Sequence, residues 1–236
     1  MTSDRTIELV GVRNARHLGG IPFEQGGSTT SFDVIRSGSL HGLTAAGIDQ
    51  LDGIGVRTVI DFRTDSERAD RSTPVLEGSG IRMIPHPIFD IDPAPIGVET
   101  ETGHAGYTWM YQHFLESGKQ AYRAAFGTIA SCEGPLLFHC AGGQDRTGLA
   151  AALFLSLAGV AAADILADHG LSRSVEGLMS HGIARAQAEQ MTAAPVGGMT
   201  DALNLLKERW GSTEGYLQEA GLSAADISAV RARATG

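Results

Sequence analysis

Apolar residues recur along the chain in two rhythms. Short runs and alternations have strand length, and longer stretches have apolar positions three and four apart. Residues 7–12 alternate and predict an edge strand, residues 14–20 a polar loop ending in two glycines, and residues 32–36 a second strand. Thr44 predicts the cap of a helix with Ala45, Ile48, Leu51 and Ile54 on one face and Gly55 as its stop. Residues 56–62 predict a strand through Val56, Thr58, Val59 and Ile60. Asp65 predicts the cap of a short helix containing Glu67 and Arg68, and residues 81–84 a strand closed by Pro85 and Pro87. Residues 90–106, rich in Pro, Gly and acid, predict a loop, followed by helices at 107–115 and 120–130. A strand at 135–139 precedes a glycine-rich loop, a buried helix at 149–157 and a further helix at 161–169. Residues 172–199 are weakly patterned, and helices at 200–210, 213–220 and 223–233, the last capped by Ser223, close the chain. Strands interleaved with helices imply an α/β three-layer sandwich, with a mainly parallel central sheet flanked by helices.

Composition narrows this picture. The 236 residues suit one domain, read as residues 1–236, with no repeat or second core. A net charge of −9 argues against nucleic acid or a stable association with anionic membrane. Two cysteines exclude a disulfide framework. Cys132 and Cys140 fall at opposite ends of the predicted strand, too far apart for a bridge, so Cys132 is not expected to resolve Cys140. The first residues lack a basic-then-apolar leader, and the apolar stretch at 149–163 is too short to span a bilayer; a cytoplasmic protein is expected.

The chemistry concentrates at residues 139–148, His-Cys-Ala-Gly-Gly-Gln-Asp-Arg-Thr-Gly. Five residues separate Cys140 from Arg146 in a glycine-rich loop leading into a helix. Successive N–H groups of such a loop form an anion nest, and the helix adds its positive end. Arg146 offers a planar fork for two phosphate oxygens. The same field favours the thiolate of Cys140, the form that attacks phosphorus. A bare Cys-x5-Arg is weak, but chance would assemble the full pattern roughly once in 100,000 trials or less. A buried structural cysteine is the bland alternative for Cys140. Ala141, Gly142, Gly143 and Gln144 supply loop amides, with Gly142 and Gly143 permitting the tight path. Thr147 is expected either to donate to the Cys140 sulfur or to cap the helix, and Gly148 completes the pattern. His139 is expected to order the loop.

These residues resemble those of the cysteine-dependent tyrosine phosphatases, more narrowly the bacterial branch that includes the mycobacterial secreted phosphatases. Residues 14–20 resemble its amino-terminal signature, while residues 36–40, Asp61-Phe62-Arg63 with Glu67, and residues 210–222 resemble later blocks. The resemblance covers nearly the whole chain. It implies hydrolysis of a phosphorylated substrate, a phosphotyrosine protein or a small phosphate monoester, through a phosphocysteine without metal or other cofactor. It also implies a helical lid, which would lie at residues 172–199. Gln144 stands where the branch usually carries Lys, which turns the expectation toward simple monoesters; His17 replaces its usual Asp.

A general acid must protonate the leaving oxygen. Asp145 is one candidate, supported by the resemblance. Asp61, at a strand's carboxyl end, is another, with pairing to Arg63 or Arg16 as its scaffold alternative; Asp90 and Asp92 complete the set. Arg63 and Arg36 are read as added positive field at the pocket. Met179, Met191 and Met199 are read as lining a lid or, more ordinarily, as core. Two rival readings are a phosphate-binding pseudoenzyme and a sulfur-transferring, rhodanese-like enzyme. The intact Cys140 and Arg146 argue against the first, and the flanking His139 and Arg146-Thr147-Gly148 against the second.

Overall fold

The computed structural model describes residues 5–73, 76–88 and 103–235. A five-stranded sheet runs through its centre in the order β1-β2-β5-β3-β4. The strands are β1 (Arg16–His17), β2 (Val34–Ser37), β3 (Thr58–Asp61), β4 (Arg82–Pro85) and β5 (Leu136–His139). β2, β5, β3 and β4 pair in parallel, and β1 adds an antiparallel edge. Register places Ser37, His139 and Asp61 side by side at the carboxyl ends of the three central strands. The loops leaving those three residues therefore meet in one crevice, the usual ligand position of an open α/β sheet.

Side chains of β5 alternate between two cores. Leu136 and Phe138 join the large core formed with α3 (His104–Ser117), α4 (Lys119–Ser131) and α5 (Asp145–Leu157), whereas Leu137 joins a smaller one. The smaller core packs Leu51 of α1 (Ala45–Ile54) and the amino-terminal Leu9 against Ile35 and Val59. The layers are thus helix, sheet and helix, as the pattern predicted. Almost every side chain of α5 is buried, which explains why its sequence is apolar all round. Thr44 caps α1 and Gly55 ends it in the left-handed conformation.

Three predicted elements are corrected. Residues 7–12 form no strand; they turn locally, with Val12 N–H bonding the Leu9 carbonyl, and tuck Leu9 into the smaller core. The cap of α2 (Asp65–Asp70) is Thr64, not Asp65, with Glu67 returning the bond in a capping box. After α6 (Ala162–Gly170), where the helix at 161–169 was predicted, the weakly patterned stretch forms the short α7 (Val175–Met179) and then α8 (Arg185–Trp210), one helix of 26 residues that also absorbs the predicted helix at 200–210. The chain closes with α9 (Thr213–Glu219) and α10 (Ala224–Thr235), with Ser223 Oγ accepting from Asp226 N–H. Among the described residues no helix is long and apolar enough to cross a membrane.

Candidate active site

The loop at residues 140–146 leaves β5 at its carboxyl end and enters α5. Its carbonyls are tied to the surrounding scaffold. Ala141 O accepts from Ser39 N–H at 2.9 Å, and Gly143 O from Arg36 Nη2 at 2.9 Å and Asn14 Nδ2 at 3.0 Å. In a trans peptide the N–H points opposite to the carbonyl. Tying the carbonyls outward therefore turns the Gly142 and Gln144 amides the other way, toward a common centre. Gly143 has φ +70° and runs so close to β2 that a Cβ would lie 2.4 Å from the Ser37 carbonyl oxygen. Only glycine fits there. Gly148 has a packing role instead: a Cβ would reach 2.6 Å from His169 Nδ1.

Arg36 owes its position to a buried charge cluster that the sequence did not disclose. Asp168 on α6 takes Arg5 Nη2 at 2.7 Å, Arg16 Nε at 3.0 Å and Arg36 Nη1 at 2.6 Å. Burial opposes the Asp168 charge, yet the adjacent Arg36 and Arg16 outweigh it and hold the carboxyl well below its usual range. Burial, then repulsion from Arg36, pulls Arg16 down to about 10. Arg36, expected to add field at the pocket, is fully buried and engaged by Asp168 and the loop.

Asp61 and Arg63 likewise belong together. Arg63 Nη2 and Nε hold Asp61 at 2.8 and 3.0 Å, and Asp61 is fully buried. Arg63 also reaches Ser39 Oγ and the Arg71 carbonyl, so it braces the crevice wall. The alternative weighed for Asp61, scaffold pairing with Arg63, matches this geometry. His139 Nδ1 lies 3.1 Å from the Cys140 carbonyl and 3.8 Å from Asp61 Oδ1, and burial lowers its pKa. A neutral ring donating from Nδ1 thus holds the first carbonyl of the loop.

Cys140 is 3 % exposed at the loop's base. Arg146 reaches over α2, where Glu67 takes Nη1 at 2.7 Å and Nη2 at 2.8 Å in a two-pronged pair. Burial opposes the Glu67 charge, but bonds from Arg146 and the Thr64 N–H prevail and bring it down to about 2. Tyr122 donates to the Arg146 carbonyl at 3.2 Å. Asp145, half-buried, accepts from Tyr111 at 2.7 Å. Gln144 is buried, with its amide beside the Tyr111 hydroxyl. Thr147 Oγ1 is buried with no hydrogen-bond partner among the described residues; Thr147 is the third residue of α5, and the N-cap position is Gln144, which makes no side-chain capping bond. Asp90 and Asp92 lie outside the described residues.

Ala141 and Gly142 form the exposed lip of the loop. Beside it opens a cavity of about 530 Å³ whose walls include Arg13, His41, Arg71 and Arg173, and no Asp or Glu among the described residues. Met199 is fully buried in the large core, Met191 is half-buried and Met179 is exposed. Both cysteines are free. Cys132 ends α4, against Arg233, and does not meet Cys140.

A buried cysteine at the base of a tied-back glycine loop, with the loop's arginine clamped by Glu67 on a mainly parallel α/β sheet, is the arrangement of a cysteine-dependent phosphatase. The tyrosine phosphatase family profile matches residues 7–236, and the chain belongs to that family. It is similar to a Cupriavidus necator protein assigned as a tyrosine-protein phosphatase, with 29% identity over 229 residues covering 89% of this chain and 81% of the relative. It is also similar to the triple specificity protein phosphatase PtpB of Mycobacterium tuberculosis, at 25% identity over 253 residues, 84% of this chain and 89% of PtpB. Among solved structures, Pseudomonas aeruginosa TpbA in a Cys-to-Ser form with phosphotyrosine covers 83% of this chain and 98% of its own, at TM-score 0.38 and 16% identity. The enzyme is a protein-tyrosine-phosphatase-like phosphomonoester hydrolase, and its substrates are phosphorylated.

Proposed function

We propose that Cys140 attacks the phosphorus of a phosphotyrosine side chain or a small aryl phosphate, that Arg146 and the amides of residues 141–146 hold the transferring group, and that Asp145 is the general acid. The observation that carries this is the joint fixation of the loop: carbonyls anchored outward, Arg146 fixed by Glu67. Arg146 meets the phosphate oxygens with its guanidinium plane, which the two-pronged pair with Glu67 holds in place. Preorganised donors of this kind stabilise the equatorial charge of the transition state. Asp61 is left to the scaffold, because its oxygens serve Arg63. The buried Thr147 hydroxyl serves the departing sulfur in the second step. The cationic cavity beside the lip supports substrates that carry negative charge beyond the phosphate, against the expectation of simple monoesters drawn from Gln144.

The chain acts as one domain, with residues 172–199 as its lid. In support, α7 buries none of its residues, and Ser172 at its entry accepts from Arg16 and Arg36. A cytoplasmic location, expected from the sequence, is part of the same proposal.

The test is turnover of para-nitrophenyl phosphate and phosphotyrosine peptides by the wild type and Cys140→Ser, in excess chelator. Wild-type turnover should persist with chelator, and Cys140→Ser should lose several powers of ten in kcat while still binding vanadate. A variant keeping more than about a tenth of kcat contradicts the covalent route.

A further inference from the structure

Helices α3 and α6 both reach the first turn of α5, and each sends one polar side chain there. Tyr111 of α3 is fully buried, with its hydroxyl 2.7 Å from Asp145 Oδ1. The same hydroxyl lies 3.1 Å from Nε2 of His169 on α6, and the two rings meet edge to face. A phenol has one proton to give and two lone pairs. An ionised carboxylate cannot donate, so the phenol proton points to Asp145 and the His169 Nε2 proton points to the phenol. Nδ1 is then bare: it makes no hydrogen bond among the described residues and packs against Gly148, and the Pro195 carbonyl of α8 also faces the ring. In this tautomer the bonds run from His169 through Tyr111 to Asp145.

We infer that Tyr111 and His169 form a positioning dyad that holds Oδ1 of Asp145 and directs the transferable proton to Oδ2. This rests on the reading of Asp145 as general acid. In the first step the Cys140 thiolate forms the S–P bond while the P–O bond to the leaving group breaks, and the Oδ2 proton passes to the leaving oxygen. In the second step water attacks phosphorus, its proton returns to Oδ2, and the S–P bond breaks to restore the thiolate. The phenol proton stays on Tyr111 in both steps.

His169 is no switch at working pH. Burial, then the nearby Arg36, pushes it down to about 3. The other groups facing the dyad are Asp168, Arg16 and the Pro195 carbonyl beside His169, and Tyr107 on α3; Tyr122 on α4 faces Asp145, Cys140 and Arg146. The Gln144 amide also approaches the Tyr111 hydroxyl from the loop side. A phenol donating to a carboxylate favours its ionised form. Removing it should therefore move the alkaline limb of the rate profile, where the acid loses its proton, to higher pH.

The experiment compares an alkyl phosphate with para-nitrophenyl phosphate for Tyr111→Phe, His169→Gln, His169→Leu and Asp145→Asn. Tyr111→Phe should lose about tenfold more kcat/KM on the alkyl ester, a fraction of the full contribution of a general acid, and its alkaline limb should rise. His169→Gln, whose amide can still donate, should keep the wild-type ratio of the two substrates, whereas His169→Leu should approach Tyr111→Phe. Equal losses on both substrates with an unmoved limb would reduce the dyad to packing. If Asp145→Asn itself shows no leaving-group dependence, the acid assignment falls and takes the dyad with it. If Asp145→Asn shows the dependence and Tyr111→Phe does not, the dyad alone is overturned.

Discussion

A single buried carboxylate, Asp168, takes Arg5, Arg16 and Arg36 together, and Arg36 passes that anchorage to the Gly143 carbonyl. Removing one partner of a buried charge cluster leaves the others uncompensated. Asp168→Asn should therefore lower unfolding free energy in urea by about 3–5 kcal/mol, with activity falling as the loop loses its brace. A stability within 1 kcal/mol of wild type, taking about 3 as the least expected, would remove the cluster from this role. Gly143 tests the loop more directly. Gly143→Ala places a methyl group 2.4 Å from a strand carbonyl at a left-handed φ. The loop must shift, and an ångström of displacement costs about 100-fold in rate. Kinetics and vanadate titration together should show both turnover and anion affinity reduced. The sequence singled out Cys140, Arg146 and Gly143 because short-range geometry dictates them. It carried no signal for Asp168, whose partners lie 132 and 152 positions away.

At the scale of elements, α8 shows how local rules mislead. Pro195 and the Gly197–Gly198 pair read as breakers, yet all three lie inside one helix. The proline removes one helical N–H, and the Met191 carbonyl, one turn back, instead faces Arg173 Nη1 at 3.5 Å. The glycines mark the crossing with α3: a Cβ on Gly198 would come 2.6 Å from Tyr107 Cβ, and one on Gly197 2.9 Å from the His104 ring. Small residues there let two backbones approach, and packing outweighs the helix cost of about 1 kcal/mol per glycine. Gly198→Val should destabilise by about 1–3 kcal/mol through overpacking, measured by thermal melting. It should also disturb Tyr111 one turn along α3, so alkyl phosphate hydrolysis should suffer more than aryl. An unchanged melting temperature would mean that the crossing is looser than its geometry requires. Residues 7–12 failed in the opposite sense, since alternation alone specifies no partner strand and Gly11 instead packs against Gly42.

Across the whole molecule, buried neutral histidines and clamped carboxylates make stability depend on pH. His169 ionises at about 3 when folded, against 6.5 for an ordinary histidine. The unfolded chain therefore binds more protons between those values, and stability falls as pH drops from 6.5. Burial also lowers His139 and His86, which act in the same direction. Glu67, held at about 2 against 4.5, contributes fully above 4.5 and loses that contribution as pH falls toward 2; Asp168 follows the same sense. Denaturation measured between pH 8 and 4 should show loss beginning near 6.5 and steepening below 4.5. His169→Gln should flatten the first segment. A wild-type profile that stays level from pH 7.5 to 5 would contradict the burial of these rings in the folded state.

The sequence by itself determined the strand, loop and helix at residues 135–157, the cysteine and arginine they present, the capped helix α1 and the α/β class. Those features arise from local backbone geometry and from the alternation of buried faces, which need no distant partner. Only the tertiary structure decided the roles of the remaining charges. Asp61, Arg63 and Arg36 carry the same residue chemistry whether they face a substrate or one another. Burial and register, set by strands far apart in the chain, paired Asp61 with Arg63, Arg36 with Asp168, and Glu67 with Arg146. Those pairings brace the loop between β5 and α5 that carries Cys140 and Arg146.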